Sequence, residues 1–416
     1  MKVFSVFFFL LLTILCTGCQ KNEKDEVLKV CVNEEQAMNA QALIEGWVKK
    51  NPEQEAELVI IPQDDSLEEA KITEILTEIM SGGGPDVFLI NCDSVGTPQK
   101  EAPRIFEDPE KSMNTDIFLP LDEYMEKAEY MDTSEWNQVI LESGRTEKGQ
   151  VVLPIRYQYY VCQFPKTDSE NTKEFPRSWD ELEARKEKFM DLGLNLSTAF
   201  PYIFGEVVDY HQKEMILSEE ELMKRAEEAF QYTKMTWESE QNIAQGKFYR
   251  GIISEHILAG LSADKTSVWR AFPNVNGGVT AIVSMYAAIN SNTENPERAF
   301  SLLDFLFSEE VMSGRGFKED EKMVGTGAVF TSIFGITVND KIFVEQNQGA
   351  TWLEDILEIN SKITDVRYNS GLEWELFNLP NQLYDPGKKD GEMKDSEDRE
   401  QAVQQTYARM NMILAE

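Results

Sequence analysis

The chain from residue 27 to residue 90 alternates between two patterns of hydrophobic residues. Three short apolar runs predict strands, and the segments between them repeat apolar residues every three or four positions, as amphipathic helices do. A Gly-Gly-Gly-Pro sequence ends the second helix, because glycine accepts a left-handed C-cap and proline cannot continue a helix. This order predicts a parallel sheet with helices on its faces. The predicted elements are strands 27–32, 58–61 and 86–90 and helices 36–50 and 67–80.

The rest of the chain repeats this alternation at longer intervals. Residues 150–164 are rich in Val, Tyr and Phe and predict one or two strands, and 279–289 predict a strand of small apolar residues. Ser178, with Glu181 three positions later as in a capping box, indicates a helix start. Asn295, followed by proline, indicates another. We expect further helices over 178–192, over 218–238, from 295 to 307, and from 397 towards the C-terminus.

The N-terminus carries the pattern of a processing signal. An almost unbroken apolar run over 3–15 suits a signal-peptide core and is shorter than the roughly 20 residues that a membrane-spanning helix needs. The small residues before Cys19 resemble the bacterial lipobox, although Cys16 stands where an aliphatic residue is usual. The resemblance implies a lipoprotein signal peptide over 1–18, a lipid on Cys19 that holds the protein on the outer face of the cell membrane, and a polar tether over 19–26. The alternatives are an ordinary cleaved signal peptide and an uncleaved anchor.

Length, charge and cysteine content narrow the class of protein. The 416 residues suffice for two domains or one large bilobal domain. A formal net charge of −34 excludes nucleic acid as a partner, because no basic excess is available to neutralise phosphates. With Cys16 removed and Cys19 lipidated, an odd number of cysteines remains, and their apolar surroundings predict small buried residues. A bridge between Cys31 and Cys92 is the alternative.

Three segments together resemble the extracellular solute-binding proteins of family 1, the sugar-binding components of ABC importers. The most specific is 72–88, in which a helix, a glycine stop, Pro-Asp and an apolar strand follow one another. The second is 149–155, Gly-Gln-Val-Val-Leu-Pro-Ile, which is similar to the start of the family's first crossover strand. The third is 281–307, a small apolar strand before Asn-Pro-Glu-Arg-Ala-Phe and a Leu/Phe helix. One departure lies at residues 246–254. The family often has a Gly-Pro-Trp-like turn after its Gly-Lys-Ala-Ala-Met strand, and this segment lacks that tryptophan.

The resemblance implies an α/β fold of the bilobal periplasmic-binding-protein type (type II), with two α/β lobes joined by crossing hinge strands. It implies a first lobe of residues 27–155 plus 272–313 and a second lobe of residues 156–271 plus 314–416. The chain is then expected to cross between the lobes near 155–160, 271–279 and 313–330.

Polar residues that follow two of the predicted strands are the first candidates for ligand contact, because ligands of open α/β sheets bind at the carboxyl ends of strands. Asp93 also matches a position where relatives present a carboxylate to sugar hydroxyls, which a carboxylate binds with strong, directional hydrogen bonds. In the first crossover, the side chains of residues 156–159 point alternately to the two faces of the strand. One pair therefore faces the cleft and the other faces the lobe, and Gln158 is the candidate for ligand contact. For each of these candidates taken singly, a role as a loop or helix-cap residue is about as common as ligand contact. The strand-end candidates are Asn33, Glu34 and Glu35 after the first strand, and Asn91, Asp93 and Ser94 after the third.

Aromatic side chains are the second part of a sugar site, since the C–H faces of a pyranose stack on flat rings. From the second lobe we expect Tyr202 and then Trp374 to contact the ligand, with Trp269 as a weaker candidate. We expect Trp47 and Trp136 in the core. For any single tryptophan, a place in the core is at least as common as ligand contact.

The implied function is capture of a carbohydrate, an oligosaccharide more than a monosaccharide, for delivery to the permease subunits of an ABC transporter. We expect a monomer without catalytic residues, metal or cofactor: two histidines are too few for most zinc sites, and the sequence has no phosphate-binding loop and no nucleophile elbow. Two alternatives stay open. One is a surface-anchored glycan-degrading enzyme, which needs a carboxylate pair across a cleft. The other is a binder of another small solute, such as a peptide or polyamine, which the negative charge permits.

Overall fold

A computed structural model describes residues 27–92, 104–166, 175–186, 198–243, 250–254, 257–258, 267–313, 335–385, 387–388 and 392–415. The strands are β1 Leu28–Asn33, β2 Ala56–Ile61, β3 Val87–Asn91, β4 Arg145–Thr146, β5 Gly149–Gln150, β6 Val152–Gln158, β7 Tyr160–Pro165, β8 Val208–Asp209, β9 Glu214–Met215, β10 Arg250–Ile252, β11 Ser267–Ala271, β12 Val279–Ile289, β13 Ile336–Thr337 and β14 Ile363–Tyr368.

Helices cover both faces of the main sheet and surround the second one. They are α1 Ala37–Lys50, α2 Asp65–Met80, α3 Pro109–Met113, α4 Asp122–Met125, α5 Gln138–Glu142, α6 Trp179–Ala184, α7 Glu219–Ile243, α8 Pro296–Leu306, α9 Glu309–Met312, α10 Asp340–Gln346, α11 Leu353–Asn360, α12 Gly371–Gln382 and α13 Ser396–Ala415. Short 3₁₀ turns lie at Glu34–Gln36, Thr133–Glu135 and Phe200–Tyr202.

Seven strands form the main sheet, in the order β13-β6-β12-β3-β1-β2, with β14 paired to the first half of β12. The three strands β1, β2 and β3 run parallel, which confirms the prediction from the first ninety residues. The sheet as a whole is mixed, because β12 runs antiparallel to both β3 and β6. β12 returns to this sheet from a second sheet, so no helical crossover of the βαβ kind constrains it to be parallel.

The second sheet has three antiparallel strands in the order β10-β7-β11. The chain leaves the main sheet at Tyr159, between β6 and β7, and returns between Ala271 and Val279. Asn274 holds this return segment in place, since its Nδ2 donates to Asp365 Oδ2 at 2.7 Å and its Oδ1 accepts from the Gly278 N–H at 2.9 Å. The expected third crossing falls, from residue 314 to 330, outside the described residues.

The hydrophobic side chains form one core on each face of the main sheet and a third core around the second sheet. Along β3, Leu89 belongs to the core under α1 and α8, while Phe88 belongs to the core under α2, as the alternation of a strand requires. Trp47 and Trp136 are buried in the first of these cores, which confirms their predicted place. The third core contains Trp179 and side chains of α7, α12 and α13.

Two of the predicted helix caps differ in detail from the expectation. Ser178 Oγ accepts from the Glu181 N–H at 3.2 Å, but the Glu181 carboxylate accepts from the Arg177 N–H instead of closing the box on Ser178. Asn295 occupies the cap position of α8, yet its side chain makes no capping hydrogen bond. Its backbone, at φ −129° and ψ 58°, differs from the extended conformation usual at this position.

Alanine substitution at two asparagines, one that caps its helix through its side chain and one that does not, tests this assignment of the caps. Asn339 Oδ1 accepts from the Ile342 N–H at 2.9 Å at the start of α10, so Asn339→Ala is expected to lower the free energy of unfolding by about 1 kcal/mol. Asn295→Ala removes no capping bond and is expected to stay within about 0.5 kcal/mol of the wild-type protein. Urea denaturation followed by tryptophan fluorescence measures both, and equal losses in the two variants would contradict this assignment of the caps.

Candidate functional site

The carboxyl ends of β1 and β3 bring together the first group of predicted site residues. After β1 the chain turns through the 3₁₀ segment Glu34–Gln36, and the Asn33 Oδ1 accepts from the Asn91 N–H at 3.0 Å. Glu35 accepts a hydrogen bond from Asn91 Nδ2, and Glu34 Oε2 accepts from the Gln63 N–H at 2.8 Å. Both carboxylates therefore hold neighbouring protein groups. Asp93 and Ser94, the other two candidates of this group, lie outside the described residues.

A small cavity of about 60 Å³ lies at this edge of the sheet. Its wall combines strand-end residues with side chains from the segment before α3 and from the end of β14. The lining residues are Asn33, Glu68, Ile90, Asn91, Cys92, Arg104, Ile105, Phe106, Pro109, Tyr286 and Asn369.

Among the polar groups of the cavity wall, one amide oxygen and one hydroxyl have no hydrogen-bond partner among the described residues. One is the Oδ1 of Asn91, a residue that is 8% exposed; the other is the hydroxyl of Tyr286, which is fully buried on β12. The Tyr286 ring packs edge-on against Tyr368, with centroids 5.9 Å apart. Burial raises the pKa of Tyr286 well above its ordinary value, so the hydroxyl keeps its proton at neutral pH. The wall therefore presents a hydrogen-bond acceptor and a hydroxyl that both lack partners in the part of the chain that the structure describes, a costly arrangement unless another group or water completes it.

The opposite wall is held in place by Asn369, the residue after β14. Its backbone carbonyl accepts from Arg104 Nη1 at 3.0 Å, its Nδ2 donates to the Cys92 carbonyl at 3.4 Å, and its Oδ1 accepts from the Tyr202 hydroxyl. Tyr202 is 5% exposed and stacks on Tyr160, with ring centroids 5.7 Å apart. Tyr202 does not line the cavity: its ring faces another aromatic ring, and its hydroxyl orients Asn369.

The structure does not bring the remaining candidates to this cavity. Gln158 is buried on β6; Tyr157 and Tyr159 enter the core under α1 and α8, which places Gln158 on the other face, where its Nε2 has no hydrogen-bond partner among the described residues. Trp374 is half-buried on α12 and packs against Phe377, with ring centroids 6.0 Å apart.

Trp269, the weaker aromatic candidate, is a core residue. It is 1% exposed within the core under α1 and α8, and its backbone N–H donates to Asp355 Oδ2 at 3.1 Å. The prediction of a ligand-facing ring is wrong because β11 turns this side chain into the core, so both faces of the ring meet protein.

Sequence reasoning missed Tyr286, Arg104 and Asn369. Asn369 obeys the same strand-end rule that selected Asn91, but β14 was not recognised as a strand because Asp365 and Arg367 interrupt its apolar pattern. Tyr286 lies within the strand predicted over 279–289, but whether its hydroxyl reaches a cavity depends on the neighbouring strands. Arg104 stands outside any predicted element.

The three cysteines of the described part of the chain are buried and form no disulfide there, so the Cys31–Cys92 bridge is not formed in this structure. Burial raises the pKa of Cys31 to about 12, which makes its thiol unreactive at neutral pH.

No group of residues arranged to hold a metal ion occurs within the described residues. Over the same ranges, no helix combines the length and apolar character needed to span a membrane. Cys19 lies outside the described residues.

Comparison with known proteins identifies the chain's relatives. The family model described as bacterial extracellular solute-binding protein matches residues 33–313, more than half of the chain. No curated protein matches.

Solved structures share the fold at low identity. An extracellular solute-binding protein of family 1 from Alicyclobacillus acidocaldarius is 12% identical, with a TM-score of 0.58 over 95% of this chain and 100% of that one. The sugar-binding protein MalE from Xanthomonas citri is 12% identical, with a TM-score of 0.58 over 94% and 98%. An ABC substrate-binding protein from Listeria monocytogenes in complex with cycloalternan is 13% identical, with a TM-score of 0.53 over 94% and 100%. These similarities confirm the predicted fold class.

Proposed function

Because the chain belongs to the bacterial extracellular solute-binding protein family, a family of binding proteins that act outside the cytoplasm, we propose that it captures a carbohydrate between two lobes. An oligosaccharide is the proposed ligand, and the permease subunits of an ABC transporter are the proposed recipients. Lipid on Cys19, after removal of residues 1–18, is the proposed anchor that keeps the protein beside its permease on the outer face of the membrane.

The observation that carries this proposal is the pair of unpartnered polar atoms in the cavity wall, Asn91 Oδ1 and the Tyr286 hydroxyl. An amide oxygen accepts a hydrogen bond and a phenol hydroxyl donates or accepts one, so the two together match a group rich in hydroxyls. The Arg104 guanidinium in the same wall adds charged donors. The cavity of about 60 Å³ is well below the roughly 300–1,000 Å³ usual for ligand pockets. We therefore infer that it marks the inner end of the site, where one ring or its substituents dock.

We propose that two carboxylates after β1 complete the site, although neither of them lines the cavity itself. Glu34 and Glu35 are each held by hydrogen bonds to Gln63, which fixes their orientation. We propose that Asp93 and Ser94 contact the ligand from the same edge, and that Gln158 and Trp374 contact it only after the lobes rearrange. Tyr202 acts as a positioning residue through Asn369.

The proposed lobes are those expected from the sequence, residues 27–155 plus 272–313 and residues 156–271 plus 314–416. The cores agree with this division in two places: residues from α6, α7, α12 and α13 share one core, and residues from α1 and α8 share another. They differ from it in a third, because β13, α10 and α11, which belong to the second proposed lobe, contribute side chains to the core of α1 and α8. Ligand that touches both lobes would stabilise the closed arrangement, which is a shift of population between open and closed forms.

The proposal predicts that carbohydrates raise the melting temperature of the protein. The panel contains cycloalternan, mannotriose and oligogalacturonides, which are named with proteins of similar fold. Malto-oligosaccharides are added as further oligosaccharides. Peptides and polyamines complete the panel. A ligand present at 100 times its Kd stabilises the folded state by about 2.7 kcal/mol, which thermal unfolding detects readily. Stabilisation by peptides or amines with none by any carbohydrate would overturn the proposal in favour of another solute.

A further inference from the structure

A group of acidic side chains surrounds one buried guanidinium where α3 approaches the β8–β9 hairpin. Arg367, which is 3% exposed, projects from β14. It donates to Glu373, which is fully buried, and its Nη1 donates to the Gly205 carbonyl at 3.1 Å. We call this group the Arg367 cluster; its members are Asp108, Glu110, Tyr210, Arg367 and Glu373.

The cluster contains more acidic groups than Arg367 can neutralise. Glu373 takes the close ion pair, whereas Glu110 Oε2 lies 3.9 Å from Arg367 Nε, too far for a hydrogen bond. This oxygen is buried without a hydrogen-bond partner among the described residues, although a fifth of the Glu110 side chain is exposed. Asp108 Oδ2 accepts from the Tyr210 hydroxyl at 2.9 Å. Three ionised carboxylates around one guanidinium would leave two uncompensated charges, which buried sites do not tolerate.

The pKa shifts of the carboxyl groups agree with this excess of acidic groups over the single guanidinium. Burial raises the pKa of Glu110 to about 8; Arg367 opposes this rise, while Glu373, Asp108 and the exposed Glu206 reinforce it. Burial also raises the pKa of Asp108 to about 6, against the hydrogen bonds from Lys111 N–H and the Tyr210 hydroxyl.

The cluster connects parts of the chain that belong to different cores. Asp108 caps α3, whose Met113 enters the core under α2. Tyr210 and Leu372 pack in the core around the second sheet. A cavity of about 250 Å³ adjoins the cluster and is lined by Glu110, Tyr210 and Arg367 among others, so a small separation of these elements would admit water.

We propose that the Arg367 cluster is a pH-sensitive latch between the two lobes, in which Glu110 binds a proton when α3 lies against the hairpin and releases it to water when they separate. Acidic conditions therefore favour closure. The latch rests on the proposed function, because it regulates the same lobe closure that encloses the ligand.

The sign of the effect follows from the two states of Glu110. In the closed form its pKa is about 8, and exposure on opening returns it towards the ordinary 4.5. Protonation then stabilises the closed form fully below pH 4.5, and this stabilisation is lost as the pH rises through 8. Between these limits, each pH unit changes the ratio of closed to open form by roughly tenfold.

Small-angle X-ray scattering of the ligand-free protein at pH 5.5 and pH 8.5 tests the latch. The radius of gyration is expected to be smaller at pH 5.5. Glu110→Gln resembles the protonated carboxyl, so this variant is expected to keep the smaller value at both pH values. Glu220→Gln, on the exposed start of α7, is the matched control and is expected to behave as the wild-type protein.

A radius of gyration that does not change with pH in the wild-type protein, or that changes equally in Glu110→Gln, overturns the latch. If Glu110→Gln fails to fold, Tyr210→Phe is the second variant, because it removes the hydrogen bond to Asp108. Its radius of gyration at pH 5.5 is expected to move towards the wild-type value at pH 8.5. A radius of gyration equal to that of the wild-type protein at pH 5.5 also overturns the proposal. No ligand is needed, so a failed carbohydrate panel and a failed latch are separate results.

Discussion

Replacing Arg367 by methionine is expected to lower the free energy of unfolding by about 3–5 kcal/mol, because it removes one partner of a buried ion pair and leaves the other without compensation. Glu373 is fully buried and accepts from Arg367, from the Ser370 N–H and from the Ser370 hydroxyl. Methionine preserves the length and volume of the side chain, so the loss reports the missing charge. Urea denaturation at pH 7 measures it.

Lys362→Met is the control for this prediction. Lys362 pairs with Glu358 at 2.5 Å just before β14, but both side chains are about half exposed. Solvent screens such a pair, and its loss is expected to cost about 0–1 kcal/mol. Similar losses in the two variants would mean that the pair of Arg367 and Glu373 is as well solvated as the surface pair, contrary to its burial.

Tyr286→Phe is expected to weaken carbohydrate binding by about 5- to 150-fold, equivalent to roughly 1–3 kcal/mol for a ligand hydroxyl left without its partner in a buried site. The substitution removes only a hydroxyl that has no hydrogen-bond partner among the described residues. The stability of the ligand-free protein should therefore stay the same or rise. Isothermal calorimetry with the most stabilising glycan of the panel, together with urea denaturation, measures both quantities.

Asn91→Leu removes the second unpartnered atom and is expected to weaken binding over the same range, with some loss of stability because Asn91 also bonds to Glu35. Tyr407→Phe, on α13 and away from the cavity, is the control and should bind as the wild-type protein does. Unchanged affinity in both Tyr286→Phe and Asn91→Leu would show that the ligand binds elsewhere.

The hydrophobic pattern predicted the local elements of the fold well, since the apolar spacing that defines a helix or strand lies within one segment. The strand predicted over 279–289 is β12, and the helix predicted over 36–50 is α1 with the 3₁₀ turn before it. β14 was missed because its polar residues Asp365 and Arg367 serve a polar network and the cluster instead of a core. Its carboxyl end, Asn369, was therefore absent from the predicted site.

The strand-end rule identified one wall of the candidate site and left the other undetected. Asn33, Glu35 and Asn91 do meet, because β1 and β3 are adjacent parallel strands and their carboxyl ends share one edge. The aromatic candidates behaved differently: Trp269 is in the core, and Tyr202 lies behind Asn369. The residue type is the same whether an aromatic ring faces a core or a cleft, so only the packing in the folded protein distinguishes the two cases.

The sequence by itself determined the alternation of strands and helices, the family resemblance and the polar edge of the first sheet, since each depends on residues close together in the chain. The tertiary structure decided which distant groups meet. It placed Tyr286 beside Asn91 through the antiparallel pairing of β12 with β3, and it enclosed Arg367 among acidic groups from two separate segments and a tyrosine from a third. The physical reason is that hydrogen-bond satisfaction and charge compensation depend on distance in space and on burial, which the local pattern of a chain does not encode.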